Sequence, residues 1–388
     1  MFSDSYLPIL NGVSVSVDAL VSELRNRGHS VHLYAPKCPN HRDSDPNTFR
    51  FRAVRTIWAP QYPLAIPPFY GTLLRFRRHT YDLIHTHTPF ATGLVGLRWA
   101  ESHELPIVST YHTLYDRYAH YLRFFPLRYA RFRVAKHTNF YYNSVDHVIT
   151  PSEASMKWLR RHSVSTDVSV IPTGLRRPTF VNRSEVRAEM QVPQHQQILL
   201  YVGRLAREKN LPLLFETASK VFAARPDARL WLVGEGPYRE RCAELARKGG
   251  IGDRVKFVGA VARDEVDRYY AAADLFVFPS ITETQGLVVQ EAMSHGLPAV
   301  AVVGGGAGAS IQDHFNGFVV KNLPDPFADA ILQILADMPM RLRMGENAQA
   351  AMRNLGIPEM ADSVLGVYQI LLANRADHSK SARNYALA

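Results

Sequence analysis

The chain has 388 residues, 46% hydrophobic and 21% charged, which provides apolar content for two domain cores and excludes disordered, collagenous and low-complexity classes. Its 45 Lys and Arg against 35 Asp and Glu give a formal charge of +10 and an isoelectric point near 9.6, so an anionic partner is expected: a phosphorylated metabolite, an acidic membrane or a nucleic acid. No stretch reaches the roughly 18 apolar residues of a spanning helix, no secretory leader is recognisable, and Cys38 and Cys242 alone exclude a disulfide framework or a cysteine zinc site; a soluble globular protein of a reducing cytoplasm is expected.

The motif FSDSYLP, of the kind that follows a strand, begins at residue 2, so the first strand is almost absent and a truncated start is expected. Val17, Leu20, Val21 and Leu24 fall at helical spacing over residues 15 to 27, with Gly28 as the cap. Short apolar runs at 31 to 35, 82 to 85, 106 to 110 and 147 to 151 read as buried strands with helical stretches between several of them. IPTGLRRPTF at 171 to 180 breaks the pattern and reads as a linker. Strand-like runs resume at 198 to 204, 229 to 236, 255 to 259, 275 to 280 and 298 to 303. This alternation predicts an α/β protein with two doubly wound parallel sheets. The expected domains are 1–174 and 175–357, with 358–388 forming a helix that crosses back to the first domain and a flexible tail. Ligands of such sheets bind beyond the carboxyl ends of strands, so the residues just after each strand are the candidates.

Along the chain, Asp43 and Asp45 form a D-x-D in a polar stretch that reads as a surface turn. His85 and His87 share a strand face, but without neighbouring Cys, Asp or Glu they predict no metal site. His112 follows a strand and reads either as a neutral imidazole that contacts a sugar or as a satisfied core histidine. Between Asp116 and Asp146 there is no acid, while LRFFPLRYARFRVAKH at 122 to 137 mixes aromatics with cations. That mixture suits an anionic bilayer, and equally a helix with a solvated basic face.

In the second half, Arg204 and Lys209 lie in a loop after a strand, where two cations can converge on a diphosphate or simply be solvated. Gly234 and Gly236 allow close backbone approach to a ligand, or mark a plain turn. In PSITETQGLVVQEAMSHGLPAV a helix begins near Gly286, whose free amides suit a phosphate. Glu283 and Glu291 can accept from sugar hydroxyls, or be first-turn helix acids.

The NGV loop at 11 to 13, YHT at 111 to 113, GRLAREKN, GEGP and the E-x7-E pair from Glu283 to Glu291 together resemble glycosyltransferase family 4, over nearly the whole chain. The resemblance implies the GT-B fold, two Rossmann-like domains facing across a cleft, and transfer of a hexose from a nucleotide donor with retention of configuration. It implies that Arg204 and Lys209 hold the donor diphosphate, Glu291 the ribose and Glu283 the donor sugar. Gly286 and Leu287 supply phosphate-binding amides, Gly234 lines the donor site, Gly12 lies near the phosphate and acceptor, and His112 contacts the reacting sugar. The chain departs from the family's frequent Gly-Gly pair with Asn11 and Gly12.

ETQG and YHTLYDRYAHY resemble the branch that glucosylates diacylglycerol from UDP-glucose; phosphatidylinositol mannosyltransferases using GDP-mannose and sulfoquinovosyl transferases are neighbouring readings. That branch implies a peripheral enzyme on the inner face of the cell membrane. Its acceptor and membrane contacts become Tyr115, Tyr118, His120, Arg123, Phe124, Phe125, Arg128 and Arg131. No cofactor or metal is expected, because the cations replace a divalent ion. With no recognisable RNA module, nucleic acid is not an expected partner, and without a complete G-x-G-x-x-G after the first strand an oxidoreductase is disfavoured.

Overall fold

The computed structural model describes residues 1–55, 63–67, 69–115 and 126–386, with side chains described through residue 375. Tyr118, His120, Arg123, Phe124 and Phe125 lie outside the described residues. The chain divides into two compact units, Met1–Gly174 together with Ile357–Ala388, and Leu175–Gly356.

In the first unit, β1 (Leu33–Pro36) pairs in parallel with β2 (Thr48–Phe51), and a short antiparallel ribbon joins β3 (Ala53–Val54) to β4 (Leu64–Ala65). Four further strands, β5 (Ile84–Thr86), β6 (Ile107–Thr110), β7 (His147–Thr150) and β8 (Val168–Val170), lie parallel in that order. The start of the chain joins the two sets. Phe2 bridges Tyr34 of β1 and Thr86 of β5, its amide donating to His85 O at 2.9 Å and its carbonyl accepting from His87 N at 2.8 Å. The Phe2 ring stacks on Tyr34 at 4.8 Å and meets Trp99 edge-on at 5.5 Å, so its burial locks this minimal strand in place. Removing that ring is expected to cost about 3–5 kcal/mol.

Asn11 begins the helix Gly12–Asn26 by accepting from Ser14 N while the Ser14 hydroxyl accepts from Asn11 N, a reciprocal cap. Its buried face, Val17, Leu20, Val21 and Leu24, packs with Met360, Val364 and Val367 of the helix Ile357–Ala386, which supplies apolar surface to this unit. Gly28 has φ +87° just past the cap, a conformation that glycine adopts without strain.

The second unit is a six-stranded parallel sheet. Its strands are β9 (Gln197–Val202), β10 (Ala228–Val233), β11 (Val255–Gly259), β12 (Leu275–Phe278), β13 (Ala299–Val302) and β14 (Gly317–Val320), ordered β11-β10-β9-β12-β13-β14. Ile198, Leu199, Leu200 and Tyr201 in β9 are completely buried, as expected for a central strand covered on both faces. The order reverses between β9 and β12, which makes the loops after β9, β10 and β12 the switch point where such sheets bind ligands. The sequence pattern lacks β2, β8 and β14, which stand at sheet edges and are only partly buried, so no continuous apolar run marks them.

Candidate active site

At the switch point three strand ends are tied together by main chain. Gly203 N donates to Val233 O at 2.9 Å, Leu205 N to Glu235 O at 3.0 Å and Gly234 N to Gly259 O at 2.8 Å. A Cβ on Gly234 would stand 2.2 Å from Gly203 O, and one on Gly236 would stand 2.3 Å from Leu205 O. The close approach these glycines allow is thus to the neighbouring loop. GEGP lies in the turn that follows β10.

After β9 the chain passes Arg204, which is half-buried, and a 3-10 turn, Arg207–Lys209. Lys209 Nζ pairs with Glu283 in the loop after β12, and the Ser280 hydroxyl donates to the same carboxylate oxygen at 3.0 Å. Both members of the pair are mostly shielded, with side-chain exposures of 16% and 19%, so little solvent screens their attraction. The ammonium also lies 6.0 Å from the centre of the Phe278 ring. Gly286, at φ +77°, precedes the helix Leu287–Ser294, whose amino end has no side-chain cap. A Cβ on Gly286 would meet Ala307 Cα at 2.7 Å, and one on Gly306 would meet Thr284 O at 1.9 Å, so a glycine run at 304–306 packs directly on the ETQG loop. In the sequence this run stands out as VVGGGAGAS.

Glu291 lies in the second turn of this helix, and the first turn holds no acid; neither Glu283 nor Glu291 is a first-turn helix acid. The Tyr270 hydroxyl donates to Glu291 Oε2 at 3.1 Å. Burial pushes the Glu291 carboxyl above its ordinary range, while nearby Arg263 and the Tyr270 bond oppose that rise. His295 Nδ1 donates to Glu291 O at 2.9 Å, and its Nε2 stands 3.3 Å from Asp267 Oδ1. Asp267 Oδ2 in turn accepts from Arg176 at 2.7 Å and from Thr179 N at 3.0 Å. The two acids of E-x7-E therefore differ: one faces a cation, the other mainly a phenol.

In the first unit, the ends of β5 and β6 bring three imidazoles together. His87 Nδ1 and His112 Nε2 share a hydrogen bond of 3.0 Å, and the His85 ring stacks on His87 at 4.2 Å. His85 uses both nitrogens, toward the Tyr368 hydroxyl and Thr110 Oγ1, each at 2.6 Å. Burial lowers the His112 pKa to about 4 and holds His85 and His87 well below the usual imidazole value, so all three are neutral at pH 7. Asp4 lies within FSDSYLP and carries no separate motif signal in the sequence. Its carboxylate accepts from Thr92 N at 2.9 Å and from the Thr88 hydroxyl at 2.6 Å, capping the helix Ala91–Ser102 that follows β5. Gly12 is exposed as the first residue of its helix, and Asn11 is committed to capping it.

Three further expectations meet the structure in different ways. Tyr115, grouped with the membrane contacts, packs among aromatic core rings, 4.9 Å from Phe90 and 5.8 Å from Tyr111. Asp43 and Asp45 are more than a solvated turn: Asp43 is bonded by Arg50 at 2.9 Å, and Asp45 by Thr48 at 2.6 Å and Arg25 at 3.0 Å. The basic stretch forms a helix, Leu127–Tyr142, that is exposed at Arg128, Arg131, Arg133 and Lys136 and also at Leu127, Tyr129 and Phe132, so its outer face is apolar as well as basic. Among the described residues no three His, Cys, Asp or Glu stand together as a metal-binding group.

Residues 10–176 match the family described as Glycosyltransferase Family 4, and residues 182–351 match Glycosyl transferases group 1. The chain is 31% identical over 355 residues to alpha-monoglucosyldiacylglycerol synthase of Streptococcus pneumoniae, covering 87% of this chain and 78% of that protein. It is 29% identical over 387 residues to a GDP-mannose-dependent alpha-mannosyltransferase of Mycobacterium tuberculosis, covering 96% of each. Among solved structures, sucrose-phosphate synthase of Thermosynechococcus elongatus superposes with a TM-score of 0.78 at 27% identity, covering 94% of each chain. With two units each built on a parallel sheet, and with these relatives, the chain belongs to glycosyltransferase family 4 and has the GT-B fold.

Proposed function

We propose that this glycosyltransferase transfers glucose from UDP-glucose to the 3-hydroxyl of 1,2-diacylglycerol, with retention of configuration, at an anionic membrane surface. The observation that carries the donor half is the Lys209–Glu283 pair beside the uncapped amino end of the helix Leu287–Ser294. A departing nucleoside diphosphate gains negative charge as the glycosidic bond breaks. Arg204, Lys209 and the amides of Gly286 and Leu287 stabilise that charge, which lowers the barrier without a metal. Glu283 accepts from hydroxyls of the sugar, Glu291 from those of the ribose, and neutral His112 contacts the reacting sugar without adding charge to it. The acceptor hydroxyl attacks from the side that the diphosphate leaves, and its proton passes to the leaving phosphate.

The acceptor half is supported by the similarity to a glucosyldiacylglycerol synthase and by the exposed cations and aromatics of the helix Leu127–Tyr142. Lys and Arg near an anionic bilayer meet lipid phosphates while Tyr129 and Phe132 enter the interface. No helix of the described residues is long and apolar enough to cross a membrane, and surface docking requires none. A second reading, mannosyl transfer from GDP-mannose to an inositol lipid, is favoured by the relative that carries GDP-mannose in its name. Incubation with UDP-glucose, UDP-galactose or GDP-mannose and mixed lipids, with products identified by mass spectrometry, decides between them. Monoglucosyldiacylglycerol from UDP-glucose alone is expected; product from GDP-mannose alone establishes the second reading.

A further inference from the structure

Tyr270 lies on the helix Arg263–Ala272, is 1% exposed, and donates its hydroxyl hydrogen to Glu291 Oε2 at 3.1 Å. Its ring has little freedom to turn. It stacks on His295 at 4.9 Å and packs on Phe276 at 6.1 Å, and His295 is itself held by the Glu291 carbonyl and stands beside Asp267. Asp267 is anchored by Arg176 and by the main chain of Thr179. The phenol is thus a held donor whose nearer acceptor is one oxygen of a partly buried carboxylate, with Val288 O more distant at 3.5 Å.

A carboxylate has two oxygens, and a ribose presents two neighbouring hydroxyls that must both find it in one orientation. An unrestrained glutamate loses rotamer freedom when it binds them, and that entropy weakens the complex. We propose that Tyr270 is the positioning residue for the ribose-binding carboxylate: by donating to Oε2 it holds the Glu291 side chain turned so that Oε1 meets the ribose hydroxyls of a nucleoside diphosphate. This rests on the assignment of Glu291 to the ribose. The same bond favours the ionised form of Glu291, which burial disfavours. The other groups acting on this carboxyl are Arg263 and Arg176, which favour its charge, and Asp267, which opposes it; His295 lies against the Tyr270 ring. Loss of the phenol hydrogen bond therefore raises the carboxyl pKa further, and nucleotide binding weakens from a higher pH as acid is added.

The test uses calorimetric titration of the full chain with UDP and 2′-deoxy-UDP, repeated with GDP and 2′-deoxy-GDP if guanine nucleotides bind more tightly. Wild type is expected to prefer the ribose form by about tenfold. Tyr270→Phe keeps the ring on His295 and should bind the ribose form about fivefold to tenfold more weakly, with the preference falling to about twofold and the acid limb of binding displaced upward in pH. Glu291→Ala should abolish the preference. If Glu291→Ala abolishes it while Tyr270→Phe keeps both the wild-type preference and the wild-type pH profile, the positioning role is wrong and the ribose assignment stands. If Glu291→Ala itself keeps the preference, the ribose assignment fails and the positioning role fails with it. Should the phenylalanine variant not fold, 3,5-difluorotyrosine at position 270 keeps the ring and donates more strongly; a larger ribose preference supports the role, and an unchanged one overturns it.

Discussion

The ends of β5 and β6 in the first unit and of β9 and β12 in the second are all carboxyl ends of parallel strands, yet the polar groups there are neutral in one unit and charged in the other. His85 and His87 are buried and His112 is partly buried against His87, and desolvation keeps all three neutral. Lys209, also mostly shielded, faces Glu283, and that pairing compensates a desolvation that costs several kcal/mol for a lone ion. Strand-end position alone therefore does not decide whether a group brings charge to the reaction; its partner does. Neutral imidazoles suit contact with a sugar whose charge is changing, and cations suit a diphosphate leaving group.

The strongest way to break this contrast is to remove the cations. Arg204→Ala and Lys209→Ala are each expected to lower kcat/KM by about 100-fold or more, because leaving-group charge peaks in the transition state. A steady-state assay that finds less than a tenfold loss for both variants removes the electrostatic account. Glu283→Ala should also lose transfer while UDP binding stays near wild type, since this acid is assigned to the sugar.

Acid tests the other side. A His112 pKa of about 4 in the folded chain, against about 6.5 unfolded, means that the unfolded chain takes up protons first as pH falls. The contribution of neutral His112 is complete above pH 6.5 and is lost as pH falls toward 4, by on the order of 3 kcal/mol. Thermal melts of wild type between pH 7 and 4.5 should show a falling Tm, and His112→Gln should flatten the slope. Equal slopes in the two proteins would falsify a desolvated neutral imidazole at this position.

Glu291 sharpens the comparison, since it is an acid whose main polar contact is a phenol. Glu291→Ala should weaken UDP binding about tenfold, through loss of bonds worth about 1.5–3 kcal/mol. Calorimetry giving wild-type affinity in a folded variant refutes the ribose assignment. The smallest effects belong to exposed surface charge. Arg128→Ala should reduce partition onto phosphatidylglycerol vesicles only about fivefold, because one surface cation contributes roughly 1 kcal/mol and salt screens it. Reversing Arg128, Arg131 and Arg133 to Glu should abolish flotation and leave UDP affinity unchanged; a triple variant that still floats places the membrane contact elsewhere.

The sequence by itself determined the alternation of apolar runs and helices, hence both parallel sheets and the strand ends where Arg204, Glu283 and His112 lie. Those features are local, because a strand buried on both faces needs a continuous apolar run. Only the tertiary structure made Phe2 a strand between β1 and β5, since its hydrogen-bonding partners stand far along the chain. Likewise only folding brought Lys209 to Glu283 across 74 positions and His85 to Tyr368 across 283. A side chain's charge depends on how far it is desolvated and on what stands within a few ångströms of it, and neither quantity exists until the distant segments have packed.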